Sequence, residues 1–228
     1  MCVVVYYRFS INSGVVTRSS SFAVMSSPLK HPFTAIISGP TGSGKTVFTL
    51  KFIEQASSMI NPPPDEIVWC YGIYQSSFDD VKNVKFQEGL PDIKDFDKNV
   101  KTLLIIDDLM HETDDRVSQI FTKGSHHMNI SVVYLTQNLF FSNKHARTMN
   151  LNSQHLVLFK NPRDAGQISY LGRQMFPGKS KFLTDAFSDA TSKPYGYLFL
   201  DLKADTDEEL RVRTNIFPTD TQYVYLPK

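Results

Sequence analysis

Two adjacent carboxylates, Asp107 and Asp108, end the apolar run LLIIDD at residues 103–108. Neighbouring carboxylates repel each other unless a positive group lies close to both. A strand as apolar as this run is buried on both faces of a sheet, so its acids are expected at the rim where the strand ends. The pair therefore predicts a site for a cation, or for a ligand that brings one, at the carboxyl end of a parallel strand.

A glycine-rich motif of the form G-x-x-x-x-G-K-[ST] predicts what that ligand is. It lies between the apolar run TAIIS (34–38) and a segment with helical periodicity (47–60), which is the context that this motif needs. Its residues are Gly39, Pro40, Thr41, Gly42, Ser43, Gly44, Lys45 and Thr46. Such a loop cradles phosphates with its backbone N–H groups. We therefore expect ATP and Mg²⁺ here, with Lys45 on the β and γ phosphates and Thr46 on the metal ion.

Three polar residues at the ends of apolar strands have separate expected roles. Asp107 is expected to hold Mg²⁺ from the strand beside the glycine loop, and the ion would relieve the repulsion between the two acids. Asp108 is then available to orient or deprotonate the water that attacks the γ-phosphate, with capping of the following turn as the alternative. Gln137 ends the next strand, in VVYLTQ. Its amide is expected to contact the γ-phosphate or the attacking water, although a Gln at a strand end taken alone more often has a structural role.

Alternating strands and helices are predicted to position these residues. Strands are predicted at 34–38, 66–71, 102–107, 130–137 and 155–160, and helices at 47–60, 114–124 and 162–176. Residues 195–202 and 210–217 predict a closing hairpin, and residues 72–99 are predicted to be irregular. This order is typical of an α/β fold, here a P-loop NTPase with a parallel sheet and helices on both faces. Ligands of such sheets bind at the carboxyl ends of the strands.

Length and composition fit one domain. The 228 residues are 41% hydrophobic, which is enough for one core over residues 28–228. Residues 1–27 are Ser-rich and are expected to be an extension or a mis-called start, with a short edge strand at 3–9 as the alternative. Two cysteines make neither a disulfide framework nor a metal-ligand pattern, and no apolar run approaches the ~20 residues of a membrane span. We therefore expect an intracellular protein that is neither secreted nor bound to a membrane.

Charge is balanced over the whole chain but not along it. The sequence has 24 Lys and Arg against 23 Asp and Glu. Between Lys123 and Lys181, however, the sequence contains eight Lys and Arg residues and a single acid, Asp164. This stretch permits a basic surface for a polyanion, although an ordinary solvated surface is the simpler interpretation of the charge alone.

Four segments carry a resemblance to a known family. They are HPFTAIISGPTGSGKT (31–46), LLIIDDLM (103–110), FTKGSHHMNISVVYLTQNLF (121–140) and LNSQHLVLFKNPRD (151–164). Their order resembles the FtsK–HerA superfamily of DNA-pumping ATPases. It more closely resembles the poxvirus-type genome-packaging ATPases, including those of Maverick/Polinton elements and adintovirus-like viruses. The resemblance spans about residues 31–176, and the last two segments are more discriminating than the glycine motif, which many unrelated enzymes share.

The resemblance implies an ASCE-type, RecA-like P-loop core with one strand between the glycine-loop strand and the Asp107 strand. It implies a homo-oligomeric ring that threads double-stranded DNA into a preformed capsid, with a capsid or portal-like vertex protein as partner. The expected location is a capsid assembly site in the nucleus or cytoplasm of the host cell. The same resemblance implies phosphate binding by Lys45, Mg²⁺ binding by Thr46 and Asp107, catalysis by Asp108 and sensing by Gln137.

Two positions depart from the family pattern. The catalytic acid of much of the superfamily is Glu, whereas Asp108 is one methylene shorter. Before the sensor strand, relatives often carry an Arg that acts on a neighbouring subunit's nucleotide, and this chain has SHH at 125–127. Arg147 and Arg163 are the candidates for the trans-acting arginine. Binding of DNA phosphate or an ordinary surface ion pair is the alternative for each of them.

Other functions start from the same glycine motif. A GTPase would also need D-x-x-G and N-K-x-D motifs, and the sequence after Asn143-Lys144 is His145-Ala146. A nucleoside monophosphate kinase would need an arginine-rich lid, and residues 72–99 contain no Arg. An inactive nucleotide-binding scaffold would not need the intact set of cation and acids described above. The favoured function is an ATP-hydrolysing DNA-packaging motor, and the kinase and the scaffold are the alternatives.

Overall fold

Strands and helices alternate along most of the chain in the computed structural model, which describes residues 5–12, 15–23, 28–107, 109, 115–124, 128–139, 144–163 and 166–227. Its strands are β1 (Val5–Asn12), β2 (Val15–Ala23), β3 (Leu29–Lys30), β4 (Thr34–Ser38), β5 (Ile60–Asn61), β6 (Glu66–Tyr71), β7 (Lys85–Glu88), β8 (Thr102–Asp107), β9 (Ile130–Thr136), β10 (His155–Phe159), β11 (Tyr197–Asp201), β12 (Val212–Thr214) and β13 (Tyr223–Leu226). Its α-helices are α1 (Lys45–Glu54), α2 (Ala56–Met59), α3 (Asp115–Gln119), α4 (Lys144–Asn152), α5 (Gly166–Met175) and α6 (Ser180–Ala190). A π-helical segment follows α3 at Ile120–Gly124, and short 3₁₀ turns lie at Ser76–Phe78, Ile93–Asp95 and Glu208–Leu210.

The chain divides into two compact units. The central unit contains residues 28–38 and 45–155, and the terminal unit contains residues 1–27, 39–44 and 156–228. The glycine loop therefore belongs to the terminal unit, while the strand before it and the helix after it belong to the central unit.

A parallel sheet forms the centre of the central unit, in the strand order β4-β9-β8-β6-β7. Every residue of β4, β8 and β9 is buried, which explains why these strands read as unbroken apolar runs instead of alternating patterns. Helices flank the sheet, so the predicted α/β fold with a parallel sheet is confirmed. Because all five strands run the same way, the ends of β4, β8 and β9 meet at one edge.

One strand separates the glycine-loop strand from the Asp107 strand. β4 pairs with β9, and β9 pairs with β8. The strand order implied by the family resemblance is therefore confirmed, whereas the expectation that Asp107 lies on the strand directly beside the glycine loop is wrong. The pattern of apolar runs predicts which segments are strands but not which of them are neighbours, since parallel strands are joined by crossovers that skip positions.

A buried histidine, His31, makes hydrogen bonds near the amino-terminal end of β9, at the edge of the central sheet opposite to the one where β4, β8 and β9 end. The Ser131 hydroxyl lies 2.6 Å from His31 Nδ1, and His31 Nε2 lies 3.1 Å from both the backbone oxygen and the side-chain oxygen of Asn129. Two acceptors at Nε2 assign the proton to that nitrogen, and Ser131 Oγ also accepts from the Phe33 N–H. Burial lowers the pKa of His31 from its ordinary value, so the neutral ring fits this network best.

The terminal unit is built largely from antiparallel pairs. β11 pairs with β12, and β12 pairs with β13, so the predicted hairpin is confirmed and gains a third strand that sequence periodicity did not predict. β1 runs parallel to β13 and antiparallel to β2. The N-terminal segment thus contains two strands, and β1 lies between β2 and β13, whereas the alternative considered from the sequence was a short strand at 3–9 on the edge of a sheet. Helix α6 packs its buried face, Phe182, Leu183, Ala186 and Ala190, in this unit.

The helices differ from the predicted ones mainly at their ends. The predicted helix at 47–60 is α1 followed by α2, after which β5 leaves the helix and pairs with β3. The predicted helix at 114–124 is α3 followed by the π-helical segment that ends at Gly124, and the one at 162–176 begins at Gly166. Helices α4 and α6 and strand β7 were not predicted. Within the described parts of the chain, no helix is long and apolar enough to cross a membrane.

Candidate nucleotide-binding site

The loop of residues 39–44 has a backbone that only glycine adopts easily at two positions. Gly42 has φ +76° and Gly44 has φ +105°, both in the region that side chains with a Cβ rarely enter. The Ser43 N–H donates to the Pro40 carbonyl oxygen over 3.1 Å and closes a tight turn over residues 40–43, which contains Gly42 and is followed by Gly44. Successive N–H groups in such a turn point to one side and form a concave site for an anion.

The glycine loop packs against Phe159, which lies at the end of β10. A Cβ on Gly39 would lie 2.6 Å from Phe159 Cβ and 2.7 Å from Ser43 Oγ, and a Cβ on Gly44 would lie 3.5 Å from Phe159 Cε1. The loop therefore packs so closely on the buried Phe159 ring that any side chain at Gly39 would displace it. Sequence reasoning missed Phe159, because its place as the last apolar residue of the run HLVLF predicts the end of a strand but not a contact with the loop.

A buried hydroxyl belongs to the same loop. Ser43 Oγ is buried and has no hydrogen-bond partner among the described residues. A hydroxyl of this kind is costly to leave unsatisfied, and an oxygen-rich ligand such as a phosphate would satisfy it. The glycine conformations, the close packing on Phe159 and this hydroxyl together fit a phosphate-binding loop.

Helix α1 begins directly after the loop, with Lys45 and Thr46 in its first turn. Both side chains are half-buried. The first backbone N–H groups of a helix have no partner within the helix and carry its positive end, so an anion is favoured here. The Thr49 hydroxyl donates to the Lys45 carbonyl oxygen over 2.9 Å, and Phe48 and Phe52 bury the inner face of the helix. The helix is thus anchored by its buried face. Its first turn contains Lys45 and Thr46, the residues predicted to bind phosphate and Mg²⁺.

Asp107 is the last residue of β8 and is only 8% exposed. It lies in register with Leu135 of β9 and Tyr71 of β6, at the edge where the parallel strands end. Carboxylate oxygens at such an edge are suitable Mg²⁺ ligands. Asp108 lies outside the described residues, so its catalytic role stays a prediction.

Gln137 is the first residue after β9 and is exposed. The Thr136 hydroxyl donates to the Asn138 carbonyl oxygen and also accepts from the Asn138 N–H, so the backbone is held on both sides of Gln137. Farther along, the Asn150 amide of α4 donates to the Leu139 carbonyl oxygen over 2.6 Å. Since β9 lies between β4 and β8, the held bend places Gln137 at the edge between the glycine-loop strand and the Asp107 strand.

The two candidate trans-acting arginines are both exposed. Arg147 lies in the first half of α4. Arg163 lies in the turn after β10, where its backbone N–H donates to the Asn161 side-chain oxygen over 3.1 Å. The SHH segment at 125–127 lies outside the described residues. Exposure is what a contact with a neighbouring subunit or with DNA requires.

Two further observations concern metal ligands and thiols in the parts of the chain that the structure describes. No group of three or more His, Cys, Asp or Glu residues there is arranged to hold a metal ion independently of a nucleotide. Cys70 is buried in β6, and burial raises the pKa of its thiol to about 12, so it is not a nucleophile at neutral pH.

A model of the poxvirus A32 protein family matches residues 20–161. That match covers more than half of the chain, and it contains the glycine loop, Lys45, Thr46, Asp107 and Gln137. None of the curated proteins compared with the chain matches it.

Proposed function

Because the chain belongs to the poxvirus A32 protein family, a family of viral genome-packaging ATPases, we propose that it is an ATP-hydrolysing motor that translocates double-stranded DNA into a viral capsid. The observation that carries the proposal is the loop of residues 39–44 directly before α1. Two of its glycines have a left-handed backbone, as a phosphate-binding loop requires. The single strand between β4 and β8 supports an ASCE-type core of the FtsK–HerA kind. The resemblance to ATPases of Maverick/Polinton elements and adintovirus-like viruses favours a capsid-forming virus or element as the source.

Binding of ATP is assigned to the loop and the first turn of α1. The backbone N–H groups of residues 39–44 would hold the phosphates, and Lys45 would neutralise the β and γ oxygens. Thr46 and Asp107 are the residues that would hold Mg²⁺. When bound, the ion supplies neutralisation of the charge that develops on the phosphate oxygens.

Hydrolysis is assigned to the residues that follow β8 and β9. Asp108 would accept the proton of a water whose oxygen bonds to the γ phosphorus, while the bond from that phosphorus to ADP breaks. Gln137 would orient the same water through its amide, from the bend that Thr136 holds. The products are ADP and inorganic phosphate, and the loss of the γ-phosphate is the event that Gln137 would report to the rest of the motor.

Force on DNA requires contacts beyond the nucleotide site. The proposal includes a homo-oligomeric ring, because a trans-acting arginine, for which Arg147 and Arg163 are the candidates, would serve the nucleotide site of a neighbouring subunit. The basic stretch between Lys123 and Lys181, which includes the exposed Arg147 and Arg163, supports contacts with the phosphate backbone of DNA. A capsid or portal-like vertex protein would hold the ring at a capsid assembly site in the nucleus or cytoplasm of the host cell.

The test is phosphate release by the purified chain with ATP alone, with duplex DNA, and with an added nucleoside monophosphate. We expect turnover that duplex DNA stimulates. Lys45→Ala should reduce turnover by at least about 100-fold, the scale of losing a major charge contact in the transition state. The matched control is Lys51→Ala, which removes a lysine from the last turn of the same helix and should stay within a few-fold of wild type.

Two results would overturn the proposal. Turnover that ignores DNA, together with transfer of phosphate to the monophosphate, would establish a kinase instead. ATP binding without any turnover, with or without DNA, would establish an inactive scaffold.

A further inference from the structure

Tyr195 has an unusual backbone for an aromatic residue. It lies in the turn between α6 and β11, and its φ is +62°. A left-handed backbone is uncommon for residues other than Gly, Asn and Asp, and it persists only where the surroundings enforce it. Residues held in this way cluster at ligand-binding sites, so the position of Tyr195 relative to its neighbours is informative.

The turn is held from both ends. The Gly196 N–H donates to the Lys193 carbonyl oxygen over 3.1 Å, and a Cβ on Gly196 would clash with the Ala190 carbonyl oxygen. Gly196 therefore packs directly on the end of α6. On the other side, the buried Tyr197 hydroxyl accepts from the Ile216 N–H over 2.9 Å. The backbone around Tyr195 is consequently held in place.

The near edge of the Tyr195 ring rests on the phosphate-binding loop. A Cβ on Gly44 would lie 3.1 Å from Tyr195 Cδ1 and 3.4 Å from Tyr195 Cβ. The residue is nevertheless 72% exposed, so the rest of the ring and its hydroxyl extend from the loop into solvent. Among the described residues, no hydrogen bond and no ring contact engages this side chain.

We propose that Tyr195 stacks on the base of the nucleotide whose phosphates occupy residues 39–44. The inference rests on the proposed function and adds to it the residue that recognises the base. An aromatic face stacks on any base, and a purine offers more surface than a pyrimidine does. Stacking alone does not read the hydrogen-bonding edge of a base. The site should therefore prefer ATP and GTP to UTP and CTP, with little difference between ATP and GTP arising from Tyr195.

The experiment compares ligands that share the phosphates but differ in the base. Dissociation constants for ATP, UTP and inorganic tripolyphosphate, each with Mg²⁺, are measured by calorimetry on the whole chain. Tyr195→Asn removes the ring and keeps a residue that tolerates a left-handed backbone. It should raise the Kd for ATP about tenfold, within the range known for loss of base stacking, and leave the Kd for tripolyphosphate within about twofold. Tyr195→Phe keeps the ring and should stay near wild type for both.

The control is Tyr170→Ala, which removes another partly exposed tyrosine of the terminal unit, on α5. It should change neither affinity. An unchanged Kd for ATP in Tyr195→Asn would overturn the inference. Equal weakening of ATP and tripolyphosphate would also overturn it, because Tyr195 would then only shape the loop. If wild type bound neither ATP nor tripolyphosphate detectably, the proposed function itself would fail.

Discussion

Thr136 and Asn138 are joined by two hydrogen bonds that bracket Gln137. The Thr136 hydroxyl donates to the Asn138 carbonyl oxygen over 3.0 Å and accepts from the Asn138 N–H over 3.3 Å. Thr136 is 2% exposed, so these bonds are shielded from competing water. A single hydroxyl thus holds the bend at the end of β9, and with it the backbone of the proposed sensor.

Thr136→Val keeps the shape of the side chain and removes both bonds, so it should loosen Gln137 without touching the phosphate loop. Because small misplacements of a positioned group reduce rates steeply, we expect kcat to fall about tenfold with little change in the Kd for ATP. Single-turnover ATP hydrolysis and nucleotide titration measure the two quantities. The matched control is Thr102→Val, which removes a buried hydroxyl bonded to Glu66 at the opposite edge of the sheet. Equal kcat values in the two variants would contradict a positioning role for Thr136.

Prediction from the sequence succeeds for strands that are buried on both faces. β4 and β8, which are buried throughout, have the predicted bounds, because an unbroken apolar run leaves little choice of structure. β6, in which Val68, Trp69 and Cys70 are buried, also has the predicted bounds. β7 reads KFQE, which has no such run. Aromatic packing stabilises it at the sheet edge, where Phe78 stacks on Phe86 with ring centroids 4.6 Å apart. Helix α4, KHARTMNLN, is likewise too polar to be predicted from apolar periodicity.

The candidate site shows the same division. The glycine loop and Lys45 are recognisable because their chemistry is contained in eight consecutive residues. Phe159 and Tyr195 contact the loop from distant parts of the sequence, and no local pattern indicates such a contact. Strand order belongs to the same class, since only the folded chain places β9 between β4 and β8.

Asp107, the last residue of β8, and Asp108, the next residue in the sequence, should differ in their effects on nucleotide binding and turnover. Asp107→Asn removes a proposed Mg²⁺ ligand, so it should raise both the Mg²⁺ requirement and the Kd for ATP. Asp108→Asn keeps the size of the side chain and removes the base, so it should bind ATP with Mg²⁺ normally and hydrolyse it at least about 100-fold more slowly. Nucleotide titrations at several Mg²⁺ concentrations, followed by single-turnover kinetics, measure these effects. Equal loss of nucleotide affinity in both variants would mean that the roles are not divided in this way.

His31 should make the stability of the fold depend on pH. Burial is the largest cause of its lowered pKa; the nearby Lys101 also lowers the pKa, while Asn129 and Asp65 raise it. The unfolded chain therefore binds a proton near the ordinary value of 6.5, at a pH where the folded chain does not. The stability from the neutral ring is fully present above pH 6.5 and is lost as pH falls towards the lower, folded-state pKa. Urea unfolding of wild type and His31→Gln from about pH 8 to about pH 5 measures this.

The difference between the two proteins isolates His31, because the other five of the six histidines are common to both. Wild type should lose more stability than His31→Gln as the pH falls. Parallel curves would show that the Ser131–His31–Asn129 network does not depend on the protonation of its histidine.

Changing Arg147 or Arg163 to Ala should reveal whether each arginine acts on a neighbouring nucleotide or on DNA. If an arginine serves a neighbouring nucleotide, its change to Ala should reduce turnover even without DNA, and mutant subunits mixed into wild-type rings should depress turnover beyond their share. If it binds DNA, the variant should keep basal turnover and lose stimulation by duplex. The log–log slope of binding against salt should then flatten by about 0.9 for each DNA phosphate that the variant no longer neutralises.

The measurement is the ATPase rate against duplex concentration at several salt concentrations, on wild type, each variant and mixed rings. The control is Arg173→Ala, which removes an arginine from the last turn of α5 in the same basic stretch. Arg173 Cζ lies 6.0 Å from the centroid of the Tyr170 ring, a contact within its own helix, so its removal should leave basal turnover unchanged. Contacts with the phosphate backbone carry no sequence information, so duplexes of unrelated sequence should stimulate wild type equally. Stimulation that depended on the sequence of the duplex, or that was absent at every salt concentration, would contradict a packaging motor.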